Sequence, residues 1–150
     1  MKQEETILKL IKKLTKLTEK IHKYQSTPRD YGTGDKLYMR EAHFIDAVGT
    51  KGEDMGKLAQ KLGVSNGAIS QLASRLEKKN CVYRVASEDD SRCVNCFLTE
   101  QGKEIFSLHK ELDKKNYAKF LFALEDFSEE ELEICNVFME RIFEVYAQGE

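Results

Sequence analysis

Between residues 55 and 98 the chain prescribes helix, turn, helix and hairpin, and few folds accept that order. Residues 55–62 carry Leu58, Ala59 and Leu62 at helical spacing, and Gly63 follows as a helix stop. Ser65 stands where an N-cap belongs, and the next helix is predicted to run to about Asn80, with Ile69, Leu72, Ala73 and Leu76 on one face. Two helices joined by a short glycine-containing turn form the helix-turn-helix pattern. The period then changes. Residues 81–86 and 93–98 are β-branched and aromatic, and they flank the charged tip 87–92. That is the pattern of a β-hairpin.

Helices are predicted on both sides of this stretch. Ile7, Leu10, Ile11, Leu14, Leu17 and Ile21 recur at helical spacing opposite Lys9, Lys12, Lys13, Lys16 and Lys20, in a helix that ends before Pro28. Residues 26–35 read as a loop, 38–48 as a second helix stopped at Gly49, and 50–54 as a polar turn. A further helix opens at Thr99, tolerates Gly102 and extends to about Phe120. Ser128 followed by Glu131 matches a capping box. It starts a last helix with Leu132, Cys135, Phe138, Met139, Ile142 and Phe143 as its apolar stripe. The expected fold is mainly α with a small β-hairpin wing, one domain over residues 1–150. A winged helix-turn-helix at about 37–98 is flanked by dimerisation helices at about 5–25 and 100–147. The apolar stripes at the two ends of the chain exceed what one small lobe covers, so a homodimer is expected.

Composition narrows the class. With 41% hydrophobic and 33% charged residues, the 150-residue chain can bury a core and remain soluble. No apolar run approaches the roughly 20 residues of a membrane span, and no signal peptide is visible, so a cytoplasmic location is expected. Net charge is −2, but residues 55–87 hold Lys57, Lys61, Arg75, Lys78, Lys79 and Arg84 against Glu77 alone. Residues 121–150 hold nine acids against Arg141. A local basic face is what phosphate binding needs, whatever the whole-chain sum. Cys93 and Cys96 have the spacing of a redox or zinc pair, with no second pair to complete a zinc site. On a strand, residues three apart point to opposite faces, which separates Cys93 from Cys96, and all four cysteines are read as structural or incidental. No phosphate loop, nucleophile elbow or metalloprotease motif is present, so no enzyme is expected.

The stretch MGKLAQKLGVSNGAISQLASRLEKKNCVYRVASEDDSRCVNCFLTEQGKEI, residues 55–105, closely resembles the MarR family of winged-helix regulators. The LAQKLGVS turn, the RLEKKN helix end, Arg84, the DDSR wing tip and the LTEQG helix start carry the match. The family usually has glycine where this chain has Asn80, and Asn is the next residue suited to a left-handed cap. Residues 37–49 and 106–112 are similar to the subgroup containing the fatty-acid-synthesis repressors of Gram-positive bacteria. The resemblance implies a bacterial-type transcriptional regulator: a dimer built from the terminal helices, binding a pseudo-palindromic double-stranded DNA operator as a ligand-responsive repressor. A zinc- or thiol-responsive sensor of the same fold, and a winged helix used only for protein contacts, are the alternatives. The family's peroxide sensors carry their reactive cysteine in the first helix, where this chain has none.

The residues expected at DNA are Ser65, Asn66, Gly67, Ser70, Gln71, Ser74 and Arg75 on the second helix of the motif, with Arg84, Asp90 and Arg92 on the wing. Gln and Asn pair with adenine edges and Ser with several bases. Gly67 lets the backbone approach the groove. Arg84 is expected on a phosphate or on the wing acids. The resemblance implies that Asp90 fixes the loop and leaves Arg92 for the minor groove. For an effector, Glu41, His43, His109 and Asp113 supply oxygen and nitrogen donors for zinc; the alternatives are a small organic or acyl ligand, or local hydrogen bonding. No cofactor is required.

Overall fold

The computed structural model describes residues 2–88 and 92–148. Asp90 lies outside the described residues. The chain separates into two compact units, Met1–Lys110 and Glu111–Glu150.

The first unit opens with helix α1, Lys2–Ser26. Strands β1, Arg29–Asp30, and β2, Lys36–Leu37, pair antiparallel. Helix α2 spans Met39–Val48 and stops at Gly49, which has a φ of 63°. Strand β3, Glu53–Asp54, leads into helix α3, Met55–Leu62. The Asp54 side chain caps α3 by accepting from Lys57 N, and left-handed Gly63 ends it. Helix α4 is Asn66–Lys78, capped by Ser65 Oγ, which accepts from Ala68 N at 3.1 Å. Strands β4, Val82–Ala86, and β5, Val94–Leu98, form the wing. Helix α5, Glu100–Ala123, starts in this unit and continues into the second.

The core of the first unit takes the apolar faces that the periodicity marks on α3 and α4 and adds Leu37, α2 and the start of α5, for which it marks none. Leu37, Phe44, Ile45, Leu58, Ile69, Leu76 and Ile105 are fully buried, with Leu72 and Ala73 beside them. Asn80, at the end of α4, has a φ of 54°, the left-handed cap expected of it. Cys81 N–H then closes the helix end on Leu76 O at 2.9 Å.

Two elements and one residue depart from the expectations. The loop at 26–35 contains β1. The polar turn at 50–54 contains β3, which pairs with β5 (Glu53 opposite Cys96, Asp54 opposite Asn95), so the wing sheet has three strands in the order β3-β5-β4. Two-residue strands carry no period of their own; only the distant partner defines them. Gly102 is required, not merely tolerated. A Cβ there would run into the carbonyl oxygen of Cys81.

In the second unit, α6, Glu129–Ala147, begins with the expected capping box: Glu131 N donates to Ser128 Oγ at 3.2 Å and Ser128 N to Glu131 Oε2 at 2.9 Å. No residue of α6 is buried. Phe120, Ile134 and Phe143 are each about two-thirds exposed or more (66%, 70% and 67%). Helix α1 likewise buries none of its residues, and Ile7, Leu17 and Ile21 are exposed. No helix among the described residues is long and apolar enough to cross a membrane.

Candidate nucleic-acid interface

Burial of Ile69, Leu72, Ala73 and Leu76 fixes which side of α4 faces outward. Ser65, Asn66, Gly67, Ser70, Gln71 and Arg75 are exposed, and Ser74 is half-buried. Asn66 and Ser70 share a concavity of about 400 Å³ with Met55, Arg84, Arg92 and Cys93. The structure therefore brings the start of α4, the start of α3 and the root of the wing around one hollow. Arg92 is exposed. Arg75 lines a different cavity, described below.

Half of the local cations are neutralised within the fold. Lys61 pairs with Glu53, Lys79 with Glu41 at 2.9 Å, and Arg84 with Glu77 at 2.6 Å. Lys57, Arg75 and Lys78 make no ion pair among the described residues. The basic surplus read from the sequence is therefore smaller in the fold, with Lys57, Arg75 and Lys78 left outside ion pairs.

Arg84 is placed differently from the expectation. Its Nε and Nη2 donate to Glu77 at 3.0 and 2.6 Å, Nη2 also to Ser74 Oγ at 2.9 Å, and Nη1 to Ser70 Oγ at 3.2 Å. The hydrogen bond from Arg84 holds the Glu77 carboxyl below the usual glutamate range, against a smaller opposing effect of burial. The partner acid lies on α4 rather than on the wing. Sequence reasoning treated Glu77 only as the one acid in a basic stretch. Its position one helical turn beyond Ser74 was visible, but the register of β4 that delivers Arg84 to it was not.

The cysteines divide as the strand geometry requires. Cys93 is exposed and Cys96 buried. Burial pushes the Cys96 thiol up to about 12 and raises that of Cys81 as well. Cys135 lies exposed in the second unit.

Of the four effector candidates, the structure brings two together. The rings of His43 and His109 lie 5.7 Å apart, and the Tyr31 hydroxyl is 3.0 Å from His109 Nδ1. His109 is fully buried and His43 exposed. Glu41 is engaged otherwise. Its carboxylate accepts from Lys79 Nζ at 2.9 Å and from the Tyr38 N–H at 2.9 Å, which caps α2. Asp113 belongs to the second unit. Among the described residues no three His, Cys, Asp or Glu side chains assemble as a metal site. Sequence reasoning missed Tyr31, which it placed in a featureless loop. A cavity of about 590 Å³ lies between the end of α1, the start of α2 and α4. It is lined by His22, Arg40, His43 and Arg75 together with the apolar Met39 and Leu72.

Buried helix-turn-helix, three-stranded wing and outward polar face define a winged-helix protein. A family model described as "MarR family" matches residues 50–94. The HTH-type transcriptional regulator SarZ of Staphylococcus aureus is 31% identical over 102 residues, covering 68% of this chain and 67% of that protein. The chain belongs to the MarR family. Among solved structures, FabT of Streptococcus pneumoniae in complex with DNA matches with a TM-score of 0.69 and 23% identity, over 96% of this chain and 99% of that one. The zinc-responsive ZitR of Lactococcus lactis matches with a TM-score of 0.76 and 15% identity, over 94% and 99%. At these identities the two structures speak for the fold. The chain spans 63% and 62% of the length of two further curated relatives, both from Bacillus subtilis.

Proposed function

We propose that the protein is a sequence-specific DNA-binding transcriptional regulator. It acts in the cytoplasm as a homodimer and as a ligand-responsive repressor on a pseudo-palindromic operator. The observation that carries this reading is the outer face of α4. Asn66, Ser70 and Gln71 are exposed hydrogen-bonding groups without charge, and the exposed cations Arg75 and Lys78 follow on the same helix. Base edges are read by such groups, and phosphates by the cations around them. A face used only for protein contacts would be apolar or acidic. The regulator named SarZ and the FabT–DNA complex support the same reading. The exposed apolar faces of α1 and α6 support the dimer. No enzymatic role is proposed.

The test separates base reading from phosphate binding. Gln71→Ala should relax base preference at one position per half-site, at a cost of about 1–3 kcal/mol for a bidentate contact. Arg92→Ala should weaken binding to all sequences and flatten the salt dependence. Equal loss for both variants on specific and random DNA would contradict this division.

A second reading concerns the effector. The cavity sets Arg40 and Arg75 against one acid, Glu41, which is itself paired with Lys79, and adds the apolar Met39 and Leu72; this suits an anionic amphiphile such as an acyl compound better than a metal ion alone. The His43–His109–Tyr31 chain leads from that cavity into the core. Operator affinity is measured with zinc, with chelator and with long-chain acyl compounds, for wild type and His109→Ala. An acyl response lost in the variant supports this reading. A zinc response lost in it supports a metal sensor, and no response in any arm removes both.

A further inference from the structure

Arg84 on β4 reaches three residues on one stripe of α4, Ser70, Ser74 and Glu77, spaced i, i+4 and i+7. Glu77 accepts from Nε and Nη2 together, a bidentate pairing that fixes the plane of the guanidinium. With that plane fixed, Nη2 and Nη1 lie within reach of the two serine oxygens, at 2.9 and 3.2 Å. The arrangement ties the root of the wing to the helix whose face is offered to DNA, and it does so through the very hydroxyls on that face.

A serine hydroxyl holds one proton and two lone pairs. In Ser70 and Ser74 a lone pair is occupied by a cationic donor. That cation polarises the O–H bond, which makes the hydroxyl a better donor and its remaining lone pair a weaker acceptor. Neither serine donates to a helix carbonyl among the described residues, unlike Thr6 and Thr15 on α1, which donate to the carbonyl four residues earlier. The proton of each hydroxyl is thus the group left for a partner.

We propose that Arg84 is a positioning residue, and not a phosphate ligand, that commits Ser70 and Ser74 to donate outward. The face of α4 then selects bases with an acceptor on the major-groove edge: guanine N7 or O6, adenine N7, or thymine O4. Cytosine, which presents an amine donor there, is disfavoured. The inference rests on the DNA-binding reading above.

The experiment selects operators from a randomised duplex library. The proteins are wild type, Arg84→Lys, Glu77→Gln, the Ser70→Ala/Ser74→Ala pair, and the pair combined with Arg84→Lys. Affinities for the selected duplexes are then measured over a salt series, and thermal unfolding checks that each variant is folded. Wild type should disfavour cytosine at the positions facing the serines by roughly five- to tenfold. Arg84→Lys keeps the charge but loses the fork, and it should relax the same positions as the serine pair. Glu77→Gln, the milder change, should relax them less. The combined variant should be no less selective than the serine pair, and the salt slope should not move. Retention of the wild-type preference in Arg84→Lys and Glu77→Gln overturns the proposal. So does a uniform loss of affinity on all sequences in Arg84→Lys with the base preference at those positions intact, which marks a phosphate contact rather than a positioning one. A wild-type protein that selects no sequence removes the DNA-binding reading, and this inference with it.

Discussion

Gly67 lies in the first turn of α4, and nothing inside the chain needs a glycine there. A Cβ would come no closer than 4.0 Å to Ser65 Oγ. A helical glycine costs up to about 1 kcal/mol relative to alanine. Gly67→Ala should therefore leave the denaturation midpoint unchanged or raise it, while operator affinity falls because the backbone can no longer approach the groove. Unchanged affinity would make Gly67 incidental. Glu77 gives a second test at this scale. Its folded-state pKa is depressed by Arg84, so its contribution is complete above the ordinary value of 4.5 and is lost as pH falls below it. The stability difference between wild type and Glu77→Gln should be present at neutral pH and vanish in acid; a constant difference across that range would contradict the pairing. Single residues were legible in the sequence where the signal is local. Ser65, Gly63, Asn80 and the Ser128–Glu131 box act through neighbours three or four positions away. Arg84 and Glu41 were not, because their partners, Glu77 and Lys79, reach them only through the register of a strand or the packing of two helices.

Elements repeat that distinction. The helices and the two long wing strands follow from apolar period, caps and breakers, and their bounds fall within a few residues of the sequence reading. Strands β1 and β3 do not, since two residues hold no period and a polar turn gives no sign that a distant strand will pair with it. The junction between wing and α5 shows what such hidden contacts require. Thr99 Oγ1 donates to Asn80 O at 2.6 Å and accepts from Gly102 N at 3.0 Å. Gly102 lets α5 lie directly on the Cys81 carbonyl. Gly102→Ala should destabilise the protein by about 1–3 kcal/mol, the usual cost of forcing a packed backbone apart. Chemical denaturation measures it, and a stabilised variant, as helix propensity alone would give, would refute the close approach.

At the scale of the molecule, the apolar stripes of α1 and α6 remain uncovered within their own units. Leu17 is 49% and Phe143 67% exposed; apolar residues that line up along a helix in this way mark an interaction surface, and a second copy of the chain would cover them. In the proposed homodimer two α4 helices would be related by a two-fold axis, and DNA read by both would carry the same symmetry. The chain's acidic end, with nine acids among residues 121–150, fits a role away from phosphates, while the cations left unpaired by the fold sit beside α4. The measurement that bears on all of this at once is footprinting of the purified protein on an operator selected from genomic fragments. The expected result is a protected pseudo-palindrome whose half-site centres lie about 10 bp, or a small multiple of that, apart. Protection of a single asymmetric half-site, or no sequence preference over random DNA, would contradict it.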